Sequence, residues 1–124
     1  MANEEILFEL SMLEQQAQEL KQQIEQVNSH LNDLENLKLG LIKLEQTKEK
    51  EILAPLGRGI FIKSEAKEDE VFVNVGSRIV VKKSFKGAEE IIEKQISELE
   101  RVKVEIERQM EIIESKFVQL VNSQ

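Results

Sequence analysis

Residues 6–34, ILFELSMLEQQAQELKQQIEQVNSHLNDL, carry an apolar residue at every third or fourth position without a break. The nine positions, spaced alternately by four and three, are Ile6, Leu10, Leu13, Ala17, Leu20, Ile24, Val27, Leu31 and Leu34. They are the a and d positions of a heptad repeat, and we call such a series a seam. Glu, Gln, Lys and Asn fill most positions in between, so the stretch predicts a helix that buries one stripe against another helix.

We expect this coiled-coil helix to span residues 4–50, which would make it roughly 70 Å long at ~1.5 Å per residue. After Leu34 the frame slips, because Lys38 takes the next seam position. Leucines with back-to-back spacings of three then predict a local overwinding of the supercoil. Gly40 costs about 1 kcal/mol relative to Ala within a helix, which predicts a bend or a close contact there.

Four apolar residues of this region leave the first frame, and we expect them to dock on the strand-rich part of the chain. They are Leu37, Leu39, Ile42 and Leu44.

The pattern changes at Pro55, the only proline of the chain, which predicts the end of the helical region. Residues 51–83 alternate with a period of two and are rich in β-branched and aromatic residues, as strands are. Runs at 52–56, 59–63, 71–75 and 78–82 predict four strands in two hairpins. Two hairpins cannot close a barrel, so we expect their free edges to be covered by another chain.

A second helix is predicted over residues 84–122, with Ser84 as its N-cap. Its seam, interrupted by Lys103, consists of Ile92, Ile96, Leu99, Ile106, Met110, Ile113, Phe117 and Leu120. Two heptad helices joined by a strand-rich insert cover each other's stripes when they fold back as an antiparallel hairpin. The predicted fold class is therefore α+β and mainly α, in a single domain over residues 1–124.

Composition excludes several classes of function. The net charge is −7, with five basic and ten acidic residues in 1–50 and six and nine in 84–124, so nucleic acid and anionic membranes are not expected partners. The chain has no cysteine. It shows no signal peptide pattern and no membrane-spanning run, which predicts a protein that is not exported and is cytoplasmic.

No catalytic constellation is present. His30 is the only histidine and has no partner for a triad or a metal site, so we interpret it as a solvated helix residue. The run Gly57-Arg58-Gly59 fails as a phosphate loop, because Ile62 rather than glycine precedes Lys63. We expect no enzyme activity, no catalytic residues, no metal and no cofactor.

Apolar residues outside the seams at the two ends of the chain are the most informative signal for function. Together with Phe117 they form what we call the tip set: Leu7, Phe8, Met12, Ile112, Phe117, Val118 and Val121. An antiparallel hairpin brings both groups to its far end, where they form a surface suited to the apolar regions of other proteins. The alternative interpretation is that they widen the seam, close the end of the hairpin or belong to frayed helix ends.

The order of helix, two hairpins and helix resembles the alpha class of the prefoldin family over nearly the whole chain. The resemblance is strongest in residues 55–61 and 71–77, which look like the family's glycine-marked hairpins, and in 80–84 with Ala88. A beta-class subunit is expected to have a shorter insert with one hairpin.

The resemblance implies a cytosolic hexamer of two alpha-like and four beta-like chains, whose hairpins join in a β-barrel platform. The residues we assign to this oligomerisation form the hairpin set: Ile60, Phe61, Ile62, Val71, Phe72, Val73, Val75, Ile79 and Val81. Such assemblies capture unfolded proteins without ATP and pass them to a group II chaperonin. The other hypothesis is a structural or filament-forming coiled-coil protein that binds no client.

Overall fold

The computed structural model describes residues 2–46, 51–66 and 69–123. Helix α1 (Ala2–Gln46) is followed by four strands and by helix α2 (Phe85–Asn122). The strands are β1 (Glu51–Gly57), β2 (Ile60–Glu65), β3 (Glu70–Gly76) and β4 (Ile79–Ser84). The chain divides into two compact units, one of Met1–Asp33 with Ile96–Gln124 and the other of Leu34–Gln95. Two long helices with two antiparallel hairpins confirm the predicted fold class, while the expected helix at 47–50 lies outside the described residues.

The first unit is an antiparallel pair of helices built on the two predicted seams. Phe8 and Met12 line one groove together with Leu120, and Gln23 lines another together with Gln109. Residue numbers therefore increase along α1 in the direction in which they decrease along α2. The α1 seam residues of this unit are half-buried or, at Leu20, buried, and most of their neighbours are exposed. Ile96 and Ile106 are the buried residues of α2 here. The heptad spacing therefore identified the buried stripe of α1 in this unit.

The second unit has its buried residues where the helices adjoin the hairpins in sequence. They are Leu34, Phe85, Ala88 and Ile92. Ser84 accepts a hydrogen bond from the backbone N–H of Gly87 at 3.0 Å, so it caps α2 as predicted.

The burial pattern places the predicted frame slip after Leu41 rather than after Leu34, because Leu44 is half-buried and Glu45, the next position of the first frame, is exposed. Lys38 is half-buried at the seam position that follows Leu34, and Leu41 continues the spacing of four and three. The Lys38 ammonium lies 3.1 Å from a Glu93 carboxylate oxygen of α2, which lets a lysine occupy the seam. Leu37 and Leu39 are consequently turned outward and are more than half exposed, so their predicted docking on the sheet is wrong, while Ile42 and Leu44 are half-buried.

The close contact expected at Gly40 is also absent from the described residues. Helix α1 continues through this position, and a Cβ placed there would meet no atom of them within 4 Å.

The strands form two separate antiparallel sheets, β1 with β2 and β3 with β4, which we call hairpin 1 and hairpin 2. Each has a two-residue turn with backbone in the left-handed region, Arg58 and Gly59 in hairpin 1 and Ser77 and Arg78 in hairpin 2. Their φ angles are 51° and 79° in the first and 51° and 62° in the second. Hairpin 2 therefore holds two non-glycine residues in a conformation that L-residues rarely adopt.

The two hairpins share one 15-residue pattern, 51–65 and 70–84, at an interval of 19 residues, with four identical positions. The identical pairs are Glu51 and Glu70, Gly57 and Gly76, Ile60 and Ile79, and Lys63 and Lys82. Both units have a register shift at the same place, one residue before the glycine. The first and last identical pairs also form equivalent ion pairs, Glu51 with Lys63 at 3.1 Å and Glu70 with Lys82 at 3.7 Å. The repeat was not among the sequence-based predictions, although its spacing is visible in the sequence.

Candidate binding surfaces

The ends of α1 and α2 in the first unit enclose a shallow groove of about 440 Å³. Two residues of the tip set, Phe8 and Met12, line it, and Leu13 and Leu120 contribute further apolar surface. Lys116 lines it as well, with Gln16 and Gln119. The groove thus combines apolar walls with polar and charged side chains, as surfaces that bind varied partners do.

A second groove of about 350 Å³ lies next to the first and shares Gln16 with it. Ile112 of the tip set lines this groove together with Leu20 and Ile113. Three of the seven tip residues are thus brought to one flank of the helix pair, over a continuous strip of surface.

The other tip residues, Leu7, Phe117, Val118 and Val121, line neither groove. A helix advances by about 100° per residue, so Val118 and Val121 lie on a different side of α2 from Ile112. All seven tip residues are exposed, from 40% at Phe117 to 67% at Phe8. The tip set therefore occupies more than one flank of the helix pair, rather than the single patch that the sequence suggested.

In the second unit, the hairpin set divides between the two faces of the strands. Val73 and Val81 are opposite each other in the ladder and half-buried, as is Val71. The other six members are exposed by more than half: Ile60, Phe61, Ile62, Phe72, Val75 and Ile79. Monomeric soluble proteins rarely expose this much apolar surface.

Leu53, Leu56 and Val80 are equally exposed apolar residues of the hairpins that the sequence analysis did not select. The repeat could have found Leu53 and Leu56, since they occupy the positions equivalent to Phe72 and Val75.

Charged residues flank the exposed aromatic ring of hairpin 2. The Lys82 ammonium lies 5.9 Å from the centre of the Phe72 ring and 3.7 Å from Glu70. Lys82 faces Phe72 directly in the ladder. The ammonium over the ring is within the range of a cation–π interaction, while Phe72 itself stays 69% exposed.

Three acidic groups and a lysine cluster between α1 and α2 within the second unit. The Glu89 Oε1 atom is buried and has no hydrogen-bond partner among the described residues. Burial raises the pKa of Glu89, and the neighbouring carboxylates of Glu45 and Glu93 raise it further. The hydrogen bond and the charge of Glu93 raise the pKa of Lys38. The cluster lies beside the seam position of Lys38.

No helix in the part of the chain that the structure describes is long and apolar enough to cross a membrane. His30 is exposed on α1, and the described ranges contain no group of three potential metal ligands.

A family model described as Prefoldin subunit matches residues 8–122, which is nearly the whole chain. The chain belongs to the prefoldin subunit family. This is a family of non-enzymatic chaperone subunits, which confirms the predicted family and the prediction that the chain is not an enzyme. Subunits of this family assemble into oligomers with other prefoldin subunits.

Two relatives show how far the similarity extends. The prefoldin subunit alpha of Methanosphaera stadtmanae is 34% identical over 62 residues, which is 50% of this chain and 45% of that protein. The alignment therefore spans less than half of the curated relative. The cryo-EM structure of filamentous PFD from Methanocaldococcus jannaschii superposes with a TM-score of 0.82 at 21% identity and covers 94% of this chain and 98% of that one. This second similarity supports the fold.

Proposed function

We propose that this chain is a subunit of an ATP-independent chaperone that captures unfolded polypeptides and delivers them to a group II chaperonin. Membership of the prefoldin family supports a chaperone role in general. The observation that carries client capture is the exposure of all seven tip residues at the paired ends of α1 and α2. An unfolded chain offers apolar side chains in many arrangements, and an adaptable apolar surface can accept them without a fixed register.

The hairpins are the proposed site of assembly. Their two sheets have only two strands each, and isolated two-stranded sheets are marginally stable in water. Six exposed members of the hairpin set add apolar surface that an interface would bury. We expect the partners to be beta-class prefoldin subunits, the product a hexamer with a β-barrel platform, and the location the cytoplasm.

A filament-forming structural role is the second candidate. This candidate rests on the same free strand edges. Contacts between two different edges of identical subunits form a filament when the repeated rotation does not close into a ring. The neighbour from Methanocaldococcus jannaschii is described as filamentous, which keeps this candidate open for the present chain. Particle shape by negative-stain microscopy separates discrete hexamers from filaments.

The first test of client capture follows aggregation of a denatured protein by light scattering, without ATP. This chain, assembled with a beta-class subunit, should suppress aggregation at about one complex per client. Failure to suppress it by an oligomer of the correct mass would favour the structural role.

Replacing Leu7, Phe8, Phe117 and Val121 with Ser should weaken capture at least about tenfold while leaving the oligomer mass unchanged. A loss of ~1.4 kcal/mol of binding energy is sufficient for that change. The matched control replaces Val102 and Val104, which are 46% and 60% exposed on α2 but outside the tip set. Capture that survives the tip substitutions, or is lost equally in the control, would show that the tip set is not the client surface.

A further inference from the structure

Four glutamine side chains line the two grooves of the first unit, two from each helix. Gln16 and Gln23 belong to α1, and Gln109 and Gln119 belong to α2. All four are exposed, and none of their carboxamides takes part in a hydrogen bond between described residues. Because Gln16 lines both grooves, the amides lie along one continuous surface, which we call the amide strip.

A carboxamide offers the same hydrogen-bonding groups as the peptide backbone, an N–H donor and a C=O acceptor. It can therefore bind either backbone group of another chain, whatever side chain that chain carries at the position. The ionised carboxylates of Glu9 and Glu19, which line the same grooves, can only accept, and the Lys116 ammonium can only donate. Glutamine thus suits a bound backbone whose register is not fixed.

The length of the amide strip indicates the conformation of a bound chain. On α1 it runs from Phe8 to Gln23, which is roughly 23 Å at ~1.5 Å per residue. Leu13 and Leu120 in one groove, and Leu20 in the other, provide apolar contacts along it. An extended chain advances ~3.3 Å per residue, so about seven extended residues match the strip in length.

We propose that the amide strip hydrogen-bonds the backbone of an extended client segment of about seven residues, and so selects extended over helical segments. The inference rests on the proposed function and adds to it the conformation of the client that this site accepts. Within a helix the backbone N–H and C=O groups are bonded to each other, so the interior of a helical segment offers the amides only its side chains. Apolar contacts alone would not distinguish the two conformations.

The chain contains no cysteine, tryptophan or tyrosine, which permits a contact-range measurement at the strip. Ser123 is an exposed residue of the first groove, and a bimane dye on Ser123→Cys is quenched when a tryptophan touches it. The probe is a peptide of one tryptophan followed by three serine–valine repeats, titrated against the full-length chain. The comparison peptide has the same sequence with N-methyl groups on alternate backbone amides. It should bind at least about tenfold more weakly, since the loss of two ordinary hydrogen bonds accounts for that factor.

Replacing the four glutamines of the strip with Met keeps side chains of similar size and helix propensity but removes the amides. This variant should bind the two peptides with nearly equal dissociation constants. The matched control replaces four exposed glutamines of α1 that line neither groove, and it should keep the preference of the original chain. These are Gln15, Gln18, Gln22 and Gln26. Equal binding of both peptides by the original chain, or an unchanged preference after the strip substitutions, would overturn the role of the amides.

Aggregation suppression by the original chain assembled with a beta-class subunit separates the two proposals. Suppression without a preference between the peptides would leave client capture standing and overturn the role of the amides. A preference without suppression would support the strip and count against the chaperone role. If neither peptide quenches the dye and aggregation is not suppressed, the proposed function and this inference are both overturned.

Discussion

Glu89 is a carboxyl group whose ionisation opposes folding. Its folded-state pKa lies above the ordinary value of 4.5, because burial and the nearby Glu45 and Glu93 disfavour the charged form. The protonated carboxyl therefore contributes stability that is fully present below pH 4.5 and is lost as the pH rises through the raised value. Lys38 offsets part of the effect with its positive charge.

We expect Glu89→Gln to raise the melting temperature at pH 8, with a difference from the original protein that shrinks as the pH falls to 4.5. The amide removes the charge that burial disfavours and retains most of the side-chain volume. Circular dichroism melts at the two pH values measure the difference, and Glu90→Gln, an exposed neighbour, is the control. A gain in melting temperature that is independent of pH would show that ionisation of Glu89 does not destabilise the fold.

Lys38 is a single residue whose place in the buried seam cannot be predicted from apolar periodicity alone. Counting apolar side chains treated the lysine as a break in the seam and predicted an overwound helix. The ion pair with Glu93 depends on a residue far along the chain, which no local pattern contains. At Leu20 and Leu34, where the seam residue is apolar, the same count predicted burial correctly, whereas Phe117 of the α2 seam is 40% exposed.

At the scale of the element, Gly40 is an unsupported glycine within α1. Helix interiors disfavour glycine by about 1 kcal/mol relative to Ala, and a Cβ at this position meets no described atom within 4 Å. Gly40→Ala should therefore raise the free energy of unfolding by about 1 kcal/mol, measured by urea denaturation. Gly87→Ala is the control, because its Cβ would lie 3.2 Å from the Ser84 Oγ that caps α2. An unchanged or lower stability for Gly40→Ala would indicate that the glycine has a conformational role.

The elements were predictable to different degrees. Pro55, the change of period and the glycines at 57 and 76 predicted the strands, since these signals are local. The sequence did not predict which face of each strand is buried. The burial of Val73 and the exposure of Phe72 depend on which residues pack against each face, and a local pattern does not contain that information. In the tip set, exposure was predicted correctly, but its division between flanks requires the rotation of each helix in the folded pair.

At the scale of the whole molecule, the hairpin set should control assembly and the tip set should not. Replacing Phe61, Phe72 and Ile79 with Ser removes three side chains that are 57%, 69% and 56% exposed, so the isolated subunit should keep its helix content. We expect the oligomer mass, measured by light scattering after size exclusion, to fall to that of smaller species. The tip variant is the reciprocal control. An unaltered mass would exclude the exposed hairpin residues from the interface.

The 19-residue interval between the hairpins makes the insert modular. Excising residues 58–76 would join Gly57 to Ser77 and create one hybrid hairpin from β1 and β4, with Glu51 and Lys82 in the places of an existing ion pair. The shortened chain would enter α2 through the same Ser84 cap. The number of strands that the insert contributes can thus change by one repeat unit without redesign of the helices.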